Sequence, residues 1–243
     1  MADKKPLPQN IPLSLALREF DQKGLYLIFE DSTVLPLTEN EVTNVARRYW
    51  EDPSKISPEV RKHDDFHPCT ICPEAGNDVM CYTLRPVLPF LEDIDRYFSY
   101  DKVVAIYRGD EDRSFHIAES DMQNALQYIC ILSLLSYCRV GRQYRKYYHG
   151  VIPVMGLGPV VERICLNIYW LHKGDKTKID TFLQQFQQDI AIISGNALKR
   201  LNLICQKDAL LNAFYNMQVT VDLLAMKMDE VLNRAFQTSE EKG

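Results

Sequence analysis

The sequence predicts an α+β protein: a small N-terminal two-hairpin plus helices unit containing a Cys-rich metal loop, followed by a C-terminal helical bundle. Three observations lead there. Apolar and polar residues alternate between 13 and 29, and again between 102 and 118, which is the period of strands. From residue 120 onward apolar residues recur every three or four positions, which is the period of helices. Between the two patterns, Cys69, Cys72 and Cys81 fall within thirteen residues. The expected division is an α+β unit over residues 11–118, with the cysteine loop at 63–82, and a bundle over 119–236.

Leu13, Leu15 and Leu17 alternate with Ser14, Ala16 and Arg18. Leu25, Leu27 and Phe29 alternate again after the turn Asp21-Gln22-Lys23-Gly24, so the pair reads as a hairpin. Thr38 with Glu41 forms a capping box, and Val42, Val45, Ala46 and Tyr49 give the helix after it a buried stripe. Asp52-Pro53-Ser54 ends that helix, and Ser57-Pro58-Glu59 starts one more turn. Pro86 and Pro89 suit a helix start, which places a helix at about residues 89–98. Lys102–Arg108 and Ser114–Ala118 form the second hairpin. Ser120 with Gln123 opens the next helix, which is apolar on nearly every side from Ala125 to Tyr137, as a central bundle helix is.

Gly150 and Pro153 break the chain, and Pro159 suits the first turn of a helix that stops at Gly174. Asp175 caps the helix that follows. One helix from Asp175 to Ala235 would be about 90 Å long, too long for a compact domain, so a break is expected, best at Gln206-Lys207-Asp208. The last stripe, Leu210, Phe214, Met217, Val221, Leu224, Met228 and Val231, is widened by Val219, Leu223 and Met226. Two apolar faces call for two things to pack against, so a homodimer or a protein partner is expected there.

Composition narrows the function. Hydrophobic residues make up 46% and charged residues 25%, ordinary for a soluble globule. The net charge of −5 gives no global attraction to nucleic acid or anionic lipid. No apolar run reaches the length of a membrane span, and Met1–Asn10 has no apolar signal core, so a cytoplasmic chain with reduced cysteines is expected. Cys130, Cys138, Cys165 and Cys205 sit singly in apolar helical patterns and read as small core residues.

The chemistry concentrates in His63–Tyr82. A Cys69-x-x-Cys72 turn puts two sulfurs on one side of a tight loop, where both reach one ion at a Zn–S distance of about 2.3 Å. Pro68 and Pro73 frame the turn, and Gly76-Asn77-Asp78 returns the chain to Cys81. The three sulfurs are expected to converge within about 4 Å of one another. A closed site needs a fourth ligand: His67 is nearest, and His63 or a distant residue can also serve. Thiolates suit Zn2+ or an iron–sulfur cluster and argue against calcium or magnesium. In this stretch alone the chain resembles a zinc knuckle, which implies a metal and no particular activity.

Two further features carry weaker chemistry. Arg139, Arg142, Arg145 and Lys146, interleaved with tyrosines, form a candidate anion- or partner-binding surface, against the plainer reading of a solvated helix end. Gly156-x-Gly158 before a helix lacks the dinucleotide fingerprint and the P-loop lysine. No nucleophile elbow, HExxH pair or general acid/base pair is visible. The expectation is a non-catalytic, structural-zinc protein with a helical docking or dimerisation half; the alternative is an iron–sulfur or zinc-dependent redox enzyme using the same cysteines.

Overall fold

The computed structural model describes residues 20–52, 57–61, 69–74, 81–109 and 114–240. Four strands, β1 (Gly24–Ile28), β2 (Val34–Thr38), β3 (Lys102–Arg108) and β4 (Phe115–Asp121), form one antiparallel sheet in the order β2-β1-β3-β4. Register follows the alternation. Leu25 lies opposite Leu37 and Tyr107, and Leu27 opposite Leu35 and Ala105, so one face carries leucines into the main core. The other face places Tyr26 and Ile106 against Phe20 in a small second cluster. The β3–β4 hairpin matches the sequence reading. β1 pairs with β2 on one edge and with β3 on the other, and residues 13–17, expected as its hairpin partner, lie outside the described residues. Pro36 hid β2 from the sequence reading, and it is tolerated because β2 is an edge strand.

Helix α1 (Glu39–Glu51) begins where expected, with the Thr38 hydroxyl accepting the Glu41 N–H at 3.1 Å. A short α2 (Pro58–Arg61) follows, with the Ser57 hydroxyl accepting the Val60 N–H. The helix expected over residues 89–98 is shorter. It consists of a 3-10 turn, Leu88–Phe90, and α3 (Leu91–Ile94). It stops at Asp95, whose carboxylate accepts the backbone N–H groups of Gln206 at 2.7 Å and Lys207 at 3.0 Å.

The central helical run is α4 (Met122–Ala125), α5 (Gln127–Leu132) and a π-helical segment, Ser133–Tyr137. It starts one residue later than the Ser120 box implies, because the Asp121 carboxylate caps Asn124 at 3.0 Å. Of the stretch expected to be buried, Ala125 to Tyr137, most residues up to Leu135 are buried, and Ser136 and Tyr137 are half-buried. A 3-10 segment, Gly141–Tyr148, leads to α6 (Leu157–Leu171), α7 (Lys176–Leu201) and α8 (Ala209–Glu240). Lys173 and Gly174 end α6 in left-handed backbone, φ 55° and 68°, and Asp175 caps α7 as expected. The α7–α8 break falls at the expected place. There the Asp208 carboxylate accepts the Ser99 N–H and hydroxyl, both at 2.8 Å.

One core runs from Leu25 in the sheet to Val231 in α8. Leu210, Phe214, Met217, Val221, Leu224, Met228 and Val231 are all buried within the single chain. α8 packs on α7, α6 and the central helical run, so the earlier helices cover the stripe. Of the residues that widen the stripe, Val219 and Leu223 are half-buried and Met226 is 77% exposed. Replacing Met217 or Leu224 by glutamate should therefore cost more than about 3 kcal/mol in urea unfolding, since it buries an unpaired charge. An unchanged unfolding midpoint would show instead that these side chains are not buried within the chain.

Candidate metal centre

The cysteine loop is held where the sheet unit meets the helices. Cys69 and Cys72 sit on one turn, closed by a Cys72 N–H to Cys69 carbonyl bond of 2.8 Å. Cys81 directly precedes the 3-10 turn Tyr82–Leu84. Ser133, fully buried, donates its hydroxyl to the Thr83 carbonyl and fastens that turn to the π segment. The π segment then ends in Cys138, whose N–H bonds back to the Ser133 carbonyl at 3.0 Å.

These bonds bring four cysteines together. Cys69, Cys72, Cys81 and Cys138 line one cavity of about 30 Å³, with Glu74, Tyr82, Thr83, Arg139, Val140 and Ile193. Cys138 is the residue that sequence reasoning missed. It was read as a small core residue, and it is indeed buried, but its sulfur is also part of this wall. The available signal was its position at the point where the apolar run ends and arginine begins, the end of a helix facing a loop. The other three singly placed cysteines, Cys130, Cys165 and Cys205, do not line the cavity. All seven cysteines are free thiols.

Burial, then the proximity of Cys81, Cys138 and Cys72, pushes the Cys69 thiol up to about 12, against a small opposing effect of Arg200. Cys72 is raised by burial and by Cys81, and lowered by Arg139. Cys138 is raised by burial but partly relieved by the Gly141 N–H, 3.4 Å from its sulfur, and by Thr83. Protonated thiols do not ligate, so a metal here would have to displace these protons.

The three cysteines expected to converge share the wall of this cavity. Among the described residues no group of three or more His, Cys, Asp or Glu side chains is placed to hold a metal ion. His63 and His67, the latter the favoured fourth ligand from sequence, lie outside the described residues.

The basic cluster divides in two. Arg139 turns into the cysteine cavity, where it pairs with Glu74 and stands 5.2 Å from the centre of the Tyr82 ring. Arg142 and Arg145 are exposed. Lys146 lines a separate open groove of about 550 Å³ with Tyr147, His172, Lys178, Phe182 and Gln185. Its floor is aromatic: Tyr147 stacks on His172, and Phe182 packs on both. The Tyr147 hydroxyl lies 3.0 Å from His172 Nε2. The two share a hydrogen bond, and burial raises the Tyr147 hydroxyl above its ordinary value.

No family model, no curated protein and no solved structure matches this chain.

His172 offers a direct check on that groove. Burial first, then Lys146 and Lys178, lowers its pKa below 6.5, with Asp175 opposing. The folded state thus binds the proton less readily than the unfolded chain. The contribution of neutral His172 to stability is present above about pH 6.5 and is lost as pH falls through the folded value. Histidine NMR titration should show Lys146→Ala moving this pKa up and Asp175→Asn moving it down; no change in either would disprove the assigned neighbours.

Proposed function

We propose that this protein holds a thiolate-bound metal centre that fastens the cysteine loop to the helical half, a non-catalytic, structural role. One observation carries the reading: cysteines from three separate stretches of chain, Cys69 with Cys72, Cys81, and Cys138, line a single cavity. Reduced thiols scattered through a core have no reason to share one wall. Thiolate ligands suit zinc or an iron–sulfur cluster. A catalytic zinc site keeps one position open for water or substrate. Here a fourth cysteine is available for that position, which favours the structural role over a metalloenzyme.

The helical half also bears on partners. Tyr215 and Met226 on α8, 55% and 77% exposed, lie eleven residues apart and so on nearly the same face of the helix. A protein partner or a second copy docking on α8 would meet these residues, not the buried stripe. No helix among the described residues is long and apolar enough to cross a membrane.

Metal analysis of protein purified without oxygen tests the centre. The chain should carry metal in fixed proportion. Cys72→Ser should release it and lower the melting temperature, whereas Cys165→Ser, buried away from the cavity, should keep it. A fully folded chain with no bound metal would reject the reading.

A further inference from the structure

The groove of about 550 Å³ lies between the 3-10 segment Gly141–Tyr148, the end of α6 and the first turns of α7. Its volume falls within the roughly 300–1,000 Å³ that small-molecule sites occupy. Three kinds of group line it. The first is aromatic. Phe182 and His172 are half-buried, with ring centres 5.0 Å apart, and Tyr147 backs Phe182 at 4.2 Å. The second is cationic. Lys146 comes from the 3-10 segment and Lys178 from α7, both exposed, and both act on the His172 ring from their separate elements. Lys178 pairs with Asp175 at 2.9 Å. Lys146 stands 5.1 Å from the centre of the Tyr147 ring and meets no carboxylate among the described residues. No acidic side chain is among the described residues lining this groove, in a chain whose net charge is −5.

The third kind is a pair of fixed acceptors. The side-chain amides of Gln143 and Gln185 donate to the Asp189 carboxylate at 3.3 and 2.7 Å. Asp189 is only 5% exposed and also accepts the Tyr144 hydroxyl. A carboxylate only accepts, so each amide must turn its nitrogen toward it, which leaves the amide oxygen to accept from elsewhere. Asp189 thereby holds two acceptors in set positions on the groove wall.

A ligand that uses all three needs a flat ring, an anionic group and hydroxyl donors. We propose that the groove binds a nucleoside monophosphate. Its base lies against Phe182 and His172, its phosphate meets Lys146 and Lys178, and its sugar hydroxyls donate to Gln143 and Gln185. One phosphate carries a charge of about −1.5 to −2 at neutral pH, which two lysines match. A triphosphate brings magnesium, which carboxylates beside the phosphates help to hold, and this groove is lined by lysines instead. The proposal does not depend on the metal centre.

Isothermal titration of the full chain with each of the four common ribonucleoside 5′-monophosphates tests it, beside the matching nucleosides and inorganic phosphate. The best monophosphate should bind at least about tenfold more tightly than its nucleoside or phosphate alone, since base stacking and a charge-assisted contact each supply about that factor. In proton NMR the His172 ring signals should shift saturably as it binds. Lys146→Ala should weaken binding about tenfold, whereas Lys102→Ala, exposed on β3, should leave it unchanged. Both lysines are exposed, so neither change disturbs the core. The proposal is overturned if none of the four binds, or if phosphate or nucleoside alone binds equally well. It is overturned too if binding leaves the His172 signals unmoved or survives Lys146→Ala undiminished.

Discussion

A hydroxyl shut away from water must find an acceptor inside the protein, and Ser133 has none on its own helix that it uses. It finds the Thr83 carbonyl. Much else depends on that bond. It joins the turn after Cys81 to the helical run that ends at Cys138, and so sets the sheet unit against the bundle. The widened π turn lets the chain leave the helix with Cys138 extended, φ −68° and ψ 128°. Gly141 then packs its backbone directly on the π segment. Single π turns of this kind gather at functional sites, because one extra residue re-aims the side chains that follow.

Legibility in the sequence followed range. The Cys69-x-x-Cys72 turn, the Thr38 cap, the Asp175 cap and the break before Ala209 were readable because each is settled within a few residues. Alternation around Leu25 gave a strand but not its partners. β3 lies far along the chain, and β2 was masked by Pro36. Helix α3 was overestimated: it stops at Asp95, whose partners, Gln206 and Lys207, lie far along the chain. Ser120 and Asp121 are adjacent capping residues, and only the structure shows that the carboxylate takes the role.

Cys138 is the instructive case. By pattern it belongs to an apolar helix, and by burial it does. A cysteine can be a small core residue and a ligand at once, since its size suits the first and its sulfur the second. Spacing rules see ligands that come in pairs along the chain. They miss a cysteine brought to the same cavity wall by a helix end from the other half of the molecule. The helical stripe divides: α6, α7 and the central run cover its seven-residue spine from within, and Met226, which widens it, stays exposed.

The position of Cys138 also matters to the unfolded chain. Cys69 and Cys138 are 138 − 69 = 69 residues apart, yet they line one cavity. A covalent link through a shared centre would close that span into a ring in the denatured state as well. By the loop-closure relation used for disulfides, such a ring removes freedom worth about 4 kcal/mol from the denatured ensemble. The centre would then act as a reversible crosslink in a chain whose cysteines are all free thiols. Its loss would weaken the fold chiefly by returning entropy to the disordered state, with few native contacts changed.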